Sequence, residues 1–332
     1  MAVQGEVTPD LMEVEGILGT AVGLDEADQP ALVVYVDRDA RAVADIVRAL
    51  PPQMRGTAVK VELTDKFRAL AKPVKPVPVS HTDKQTPPIQ LGTSGGWGYD
   101  LANGYCCGGT LGSLVQINGV QYILSNYHVF ESDIVPGGNN RVATTGDPII
   151  QPGLIDVNCT AANAQEVATL VKLSSLPGSN VDCSVAQVSY DSDDNPMVRT
   201  DGAILEIGTI SSQTVAASLR QAVKKSGRTT KLSRSTINGL NATITVIYDN
   251  ECAGGEAFTK AFTGQIITAN RGSKFLAGGD SGSLMVEDVT TNPRAVGLLY
   301  AGSSSLAVAN PIDQVLTLIG ERLGGEALMV GN

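Results

Sequence analysis

Histidine is nearly absent from this chain of 332 residues, which has only two, His81 and His128. Any chemistry needing an imidazole near neutral pH must use one of them. Tryptophan occurs once, aromatics make up 4% and charged residues 17%. With 36 glycines and abundant Val, Ile and Thr, this points to a β-rich body with many turns. No run of 18 apolar residues exists to span a membrane as a helix, and no membrane partner is expected. The opening MAVQGEVTPDLMEVEG has neither the basic start nor the apolar core of a secretory leader, so the chain is expected to be cytoplasmic. Positive charge is short as well. A net charge of −10 argues against nucleic acid as a partner. Five cysteines, Cys106, Cys107, Cys159, Cys183 and Cys252, lack zinc-ligand spacing; adjacent Cys106 and Cys107 read as buried thiols in a reducing compartment, with room for one or two bridges. Neither a metal nor another cofactor is expected.

What is present is GGDSGS, Gly278 to Ser283. A serine hydroxyl becomes a nucleophile only beside a base, a group that orients the base, and donors for the oxyanion formed on attack. Ser281 is the candidate nucleophile. The flanking glycines let the backbone turn so that the amides of Gly279 and Ser281 point into one hollow.

His81 lies in AKPVKPVPVSHTDKQTPP, a proline-rich stretch read as a solvated linker. His128 instead ends the strand-like run VQYILSNYHV, so it is the candidate base. The orienting carboxylate is assigned to Asp182, which opens the alternating VDCSVAQV. Asp156 in GLIDVN is its rival, whereas Asp191, Asp193 and Asp194 belong to an exposed turn.

Residues 1–71 read as a small α+β domain, with strands in EGILGTAVGL and PALVVYVDR, a helix in RDARAVADIVRAL and a return strand in GTAVKVELTDKFRAL. It is either a packing module or a regulatory or homo-oligomerising one. A linker (72–88), a larger β domain (89–323) and a tail (324–332) follow. Trp97 in TSGGWGYD is expected to be a packed indole on a loop, and VKKSGRTTKLSR (223–234) a polar surface hairpin or a docking patch for an acidic partner.

The order His, Asp, Ser with LSNYHV, VDCSVA and GGDSGSLM resembles the chymotrypsin/trypsin-like serine proteases. The likeness covers roughly 86–323 and is nearest to bacterial-type, disulfide-poor members and to plant narrow-leaf type trypsin-like proteins. It implies two six-stranded antiparallel β-barrels, preceded here by the α+β domain, and a serine endopeptidase acting on protein or peptide substrates. A non-catalytic or latent scaffold and a self-processing protease are the alternatives. By the same resemblance Phe275 stands at the pocket floor, with Tyr300, Ala301, Gly302 and Ala307 along its walls, so a neutral residue is expected before the cleaved bond. Zymogen-type relatives pair the aspartate matching Asp280 with an ammonium freed by cleavage. No clear activation site exists here, so Asp280 is expected to bond to backbone or to an internal cation.

Overall fold

The computed structural model describes residues 2–69, 81–102, 105–131, 141–248 and 258–332. The N-terminal region contributes α1 (Ala2–Met12), β1 (Ile17–Leu24), β2 (Pro30–Asp37), α2 (Val43–Ala49), β3 (Thr57–Thr64) and β4 (Arg68–Ala69). β2 and β3 are parallel, and α2 makes the crossover this requires. Ile46 of α2 is buried against Leu32, Val34 and Val36 of β2. No element was expected at α1. Its buried face carries Gln4 and Thr8, which reach Asn241 O (2.8 Å) and Thr20 Oγ1 (2.7 Å), so no apolar stripe announces it.

Next come β5 (Thr93–Trp97), β6 (Gly109–Leu111), β7 (Ser113–Ile117), β8 (Val120–Ser125), the one-turn helix α3 (Tyr127–Phe130), β9 (Pro148–Gln151), β10 (Gln165–Val171) and β11 (Ser184–Val188). Pairing runs β5–β6, then β7–β8–β11–β10–β9 and back to β5. Only Gly112 separates β6 from β7, so the two act as one bent strand and close a six-stranded barrel. Trp97 belongs to β5 rather than to a loop, and its indole donates to Asp147 Oδ2 at 3.0 Å.

A second barrel is formed by β12 (Ala222–Lys225), β13 (Ser233–Tyr248), β14 (Phe258–Ala269), β15 (Leu284–Glu287), β16 (Ala295–Gly302) and β17 (Leu306–Pro311). Its order β12–β15–β16–β17–β14–β13 returns to β12, so this sheet also closes on six strands. The chain is therefore mainly β, with two antiparallel barrels, as the sequence implied. α4 (Ile312–Leu323) follows and packs Ile312, Val315 and Ile319 inward.

The early part of β13 pairs with β12, from Ser233 to Thr236, and its later part pairs with β1, as Gly19↔Ile244 and Val22↔Leu240. One long strand thus carries both the barrel and the N-terminal sheet. That edge of β1 is spent within the chain.

Several expectations need correction. Of the 72–88 linker, residues 72–80 lie outside the described residues, but His81 is fully buried, with Nε2 2.9 Å from Ser226 Oγ and 3.1 Å from Glu206. Proline content alone therefore misread it as solvated. Lys224, Lys225 and Arg228 of the supposed surface hairpin are buried too, each opposite an acceptor that offsets its desolvation. Cys106 is joined to Cys159 and Cys107 is also disulfide-bonded, whereas Cys183 is a buried free thiol. Among the described residues, no helix is long and apolar enough to cross a membrane.

Candidate active site

β8 ends at Ser125, and α3 then turns the chain so that His128 leaves the sheet. Because Ser125 is in register with Ser184, Asp182 arrives beside that turn. Three bonds lock the two segments. Asn126 Nδ2 donates to the Asp182 carbonyl at 2.7 Å, the Tyr127 amide donates to Asp182 Oδ1 at 2.7 Å, and His128 Nδ1 lies 2.7 Å from Asp182 Oδ2. With a carboxylate as acceptor, Nδ1 carries the proton and Nε2 is the basic nitrogen.

A fourth donor comes from the other barrel. Tyr248, the last residue of β13, donates its hydroxyl to Asp182 Oδ2 at 2.9 Å. Burial first, and then the Asp182 charge, push the phenol pKa well above its usual 10.0, so it remains a donor. The Asp182 amide in turn donates to Asn310 Oδ1 at 3.0 Å. Tyr248 and Asn310 escaped the sequence reading because their contacts to Asp182 span 66 and 128 residues, with no local pattern to mark them.

Ser281 sits in a loop pressed against the first barrel. Its carbonyl accepts the Thr110 amide at 2.8 Å, and the Gly279 carbonyl accepts Thr110 Oγ1 at 2.9 Å. Close approach needs glycine on both sides. A Cβ on Gly112 would lie 2.1 Å from Gly282 O, and one on Gly282 (φ +92°) would lie 2.2 Å from Ser125 Oγ. The loop is thereby held against Ser125, three residues before His128. Ser281 Oγ makes a long contact, 3.5 Å, with the Tyr300 carbonyl. The amides of Asp280, Gly282 and Ser283 are bonded to the carbonyls of Ala277, Leu299 and Asp280, while that of Gly279 has no acceptor among the described residues.

Asp280 is fully buried and faces Lys225 Nζ at 2.9 Å. It also accepts the amides of Ala277 and Thr229 and the hydroxyl of Thr230. This is the internal cation left open by the sequence. Burial lowers the Lys225 pKa, with the Asp280 charge acting against that shift.

Asp156 is engaged elsewhere. Arg228 reaches its two oxygens at 2.6 and 2.8 Å, and both side chains are buried. The expected pocket residues divide between two clusters. Phe275 and Ala307 pack with Ile266 and Leu299 inside the second barrel, whereas Tyr300 and Ala301 pack with Tyr127, Tyr248 and Phe67. Gly302 is paired with Ala307 across β16 and β17.

No protein-family model and no curated protein matches the chain. Solved structures do. Its structural neighbours are trypsin-like bacterial serine proteases. They include a glutamic acid-specific serine protease (18% identity, 73% of this chain and 100% of that one, TM-score 0.46). Thermobifida fusca protease A is similar too (18%, 74% and 98%, 0.45), as is Cellulomonas bogoriensis chymotrypsin (18%, 73% and 97%, 0.41).

Proposed function

We propose that this chain is a serine endopeptidase. Ser281 Oγ attacks the peptide carbonyl and passes its proton to His128 Nε2, which returns it to the leaving amine. The resulting acyl-enzyme is hydrolysed when the same nitrogen deprotonates water. Asp182 holds the imidazole in the required tautomer and offsets its charge when protonated. The amides of Gly279 and Ser281 receive the oxyanion. No step calls on a metal or another cofactor.

The observation that carries this reading is the buried 2.7 Å contact between His128 Nδ1 and Asp182 Oδ2, beside a glycine-flanked serine loop held against the same strand end. A histidine kept only for packing has no need of a carboxylate behind it that also accepts the Tyr127 amide and the Tyr248 hydroxyl. With the uncharged Phe275 at the position that the resemblance gives to the pocket floor, a neutral residue is preferred before the cleaved bond. The Cys106–Cys159 bridge favours an oxidising compartment over the cytoplasmic one read from the N-terminus.

Fluorophosphonate labelling of the full chain, read by intact mass, tests the proposal. One adduct is expected on wild type and none on Ser281→Ala or His128→Ala. An unlabelled wild type that is folded by circular dichroism overturns it.

A further inference from the structure

The nucleophile loop lies along one edge of β16. That edge is occupied by β15 as far as Leu299, whose carbonyl and amide bond to Gly282 and Ser283. Tyr300 comes next, with its carbonyl facing Ser281 Oγ. An extended peptide seeking the nucleophile would pair with the following residues, Ala301 and Gly302, because a bare sheet edge recruits a strand by its own amides and carbonyls. This stretch is not bare. β4 pairs with it antiparallel, as Ala69↔Ala301 and Arg68↔Gly302, while β17 holds the opposite edge. Its direction, from 302 towards 301, leads to the nucleophile.

The approach is pinned step by step. Thr64 Oγ1 lies 2.8 Å from Ser303 Oγ and 2.9 Å from Ser305 Oγ, and Asp65 accepts the Ser304 amide and hydroxyl. Phe67 is fully buried against Tyr35, ring centroids 5.8 Å apart, and its carbonyl accepts the Ile247 amide. Beyond these anchors the ladder is only two residues long and Arg68 is exposed.

We propose that β4 occupies the strand position of a peptide substrate, so that the N-terminal region acts within the chain as a competitor for its own cleft. This rests on the peptidase reading, since it takes the β16 edge beside Ser281 to be the substrate edge. A substrate must displace β4 from β16, so weakening Phe67 or Asp65, neither of them a triad residue, opens the cleft.

The test uses the full chain carrying Ser281→Ala, which keeps the readout independent of catalysis. A fluorescein-labelled peptide of sequence TDKFRAL, residues 64–70, is titrated by anisotropy against this parent and against the parent with Asp65→Ala and Phe67→Ala. At least tenfold tighter binding to the weakened chain is expected; equal affinity overturns the proposal. Should the weakened chain fail to fold, wild type decides. There, a tetrapeptidyl phosphonate is expected to label Ser281 no faster than a small fluorophosphonate, and a tenfold gain overturns the proposal. Absence of fluorophosphonate labelling would instead refute the peptidase reading, which the peptide titration does not require.

Discussion

Lys225 Nζ lies 2.9 Å from Asp280 Oδ1, one residue before Ser281, with both side chains fully buried. Lys225 also donates to Thr230 Oγ1 at 2.6 Å, and Thr230 donates to Asp280, so cation, hydroxyl and carboxylate form one closed group. In the zymogen-type members of the family the sequence resembles, the matching aspartate waits for an ammonium released by cleavage. Here the cation is supplied by β12 as the second barrel closes.

Lys225→Met is therefore expected to leave a buried carboxylate unpaired and to cost about 3–5 kcal/mol in urea unfolding. Fluorophosphonate labelling of the folded variant should slow at least tenfold. Intact mass of labelled wild type should match the uncut chain. A variant labelled as fast as wild type would mean that the pair does not shape the serine loop.

Tyr248→Phe removes one donor to Asp182 while keeping the ring that packs near Phe262. A hydrogen bond to a charged group contributes about 1.5–3 kcal/mol. The expected loss in kcat is ten- to hundredfold with little change in KM, because Tyr248 acts through Asp182. Steady-state kinetics on a chromogenic peptide check the split; a change confined to KM would place Tyr248 in substrate binding instead.

The pH dependence of stability should carry the mark of His81. Burial lowers its pKa from the usual 6.5, with Glu206 opposing the shift. A depressed histidine binds fewer protons folded than unfolded, so stability rises with pH through the interval between the folded value and 6.5 and levels off above it. Acidification below 6.5 should destabilise wild type, and His81→Gln should flatten that limb in urea midpoints taken from pH 5 to 7.5.

Opening the Cys106–Cys159 bridge frees a loop spanning 53 positions, for which chain entropy predicts a loss of up to about 4 kcal/mol. Cys106→Ser with Cys159→Ser should show this in denaturant midpoints. Cys183 should resist a thiol reagent in the native chain and react on unfolding, since burial raises its pKa well above 9.0.

Local chemistry made much of the fold legible. The alternation before His128 and the periodicity of the strands and helix between residues 17 and 64 write their structure into neighbouring residues, and these were read correctly as elements. The misreadings share a different cause. His81 and Lys225 look solvated until one sees Ser226 and Asp280, which lie 145 and 55 positions away. The pairing of Cys106 with Cys159, and of Tyr248 with Asp182, likewise depends on which strands meet. A burial cost can be read from one residue; its compensation cannot when the partner comes from a segment far along the chain.

β13 gives the molecule a mechanical character that a bead-and-linker picture lacks. Its later residues bond to β14 on one side and to β1 on the other, so the N-terminal sheet hangs from the same strand that closes the second barrel. Trimming away the first 65 residues would not simply release a smaller protein. It would bare a row of amides and carbonyls on β13 able to recruit strands from other chains, so the N-terminal sheet also shields that edge from aggregation.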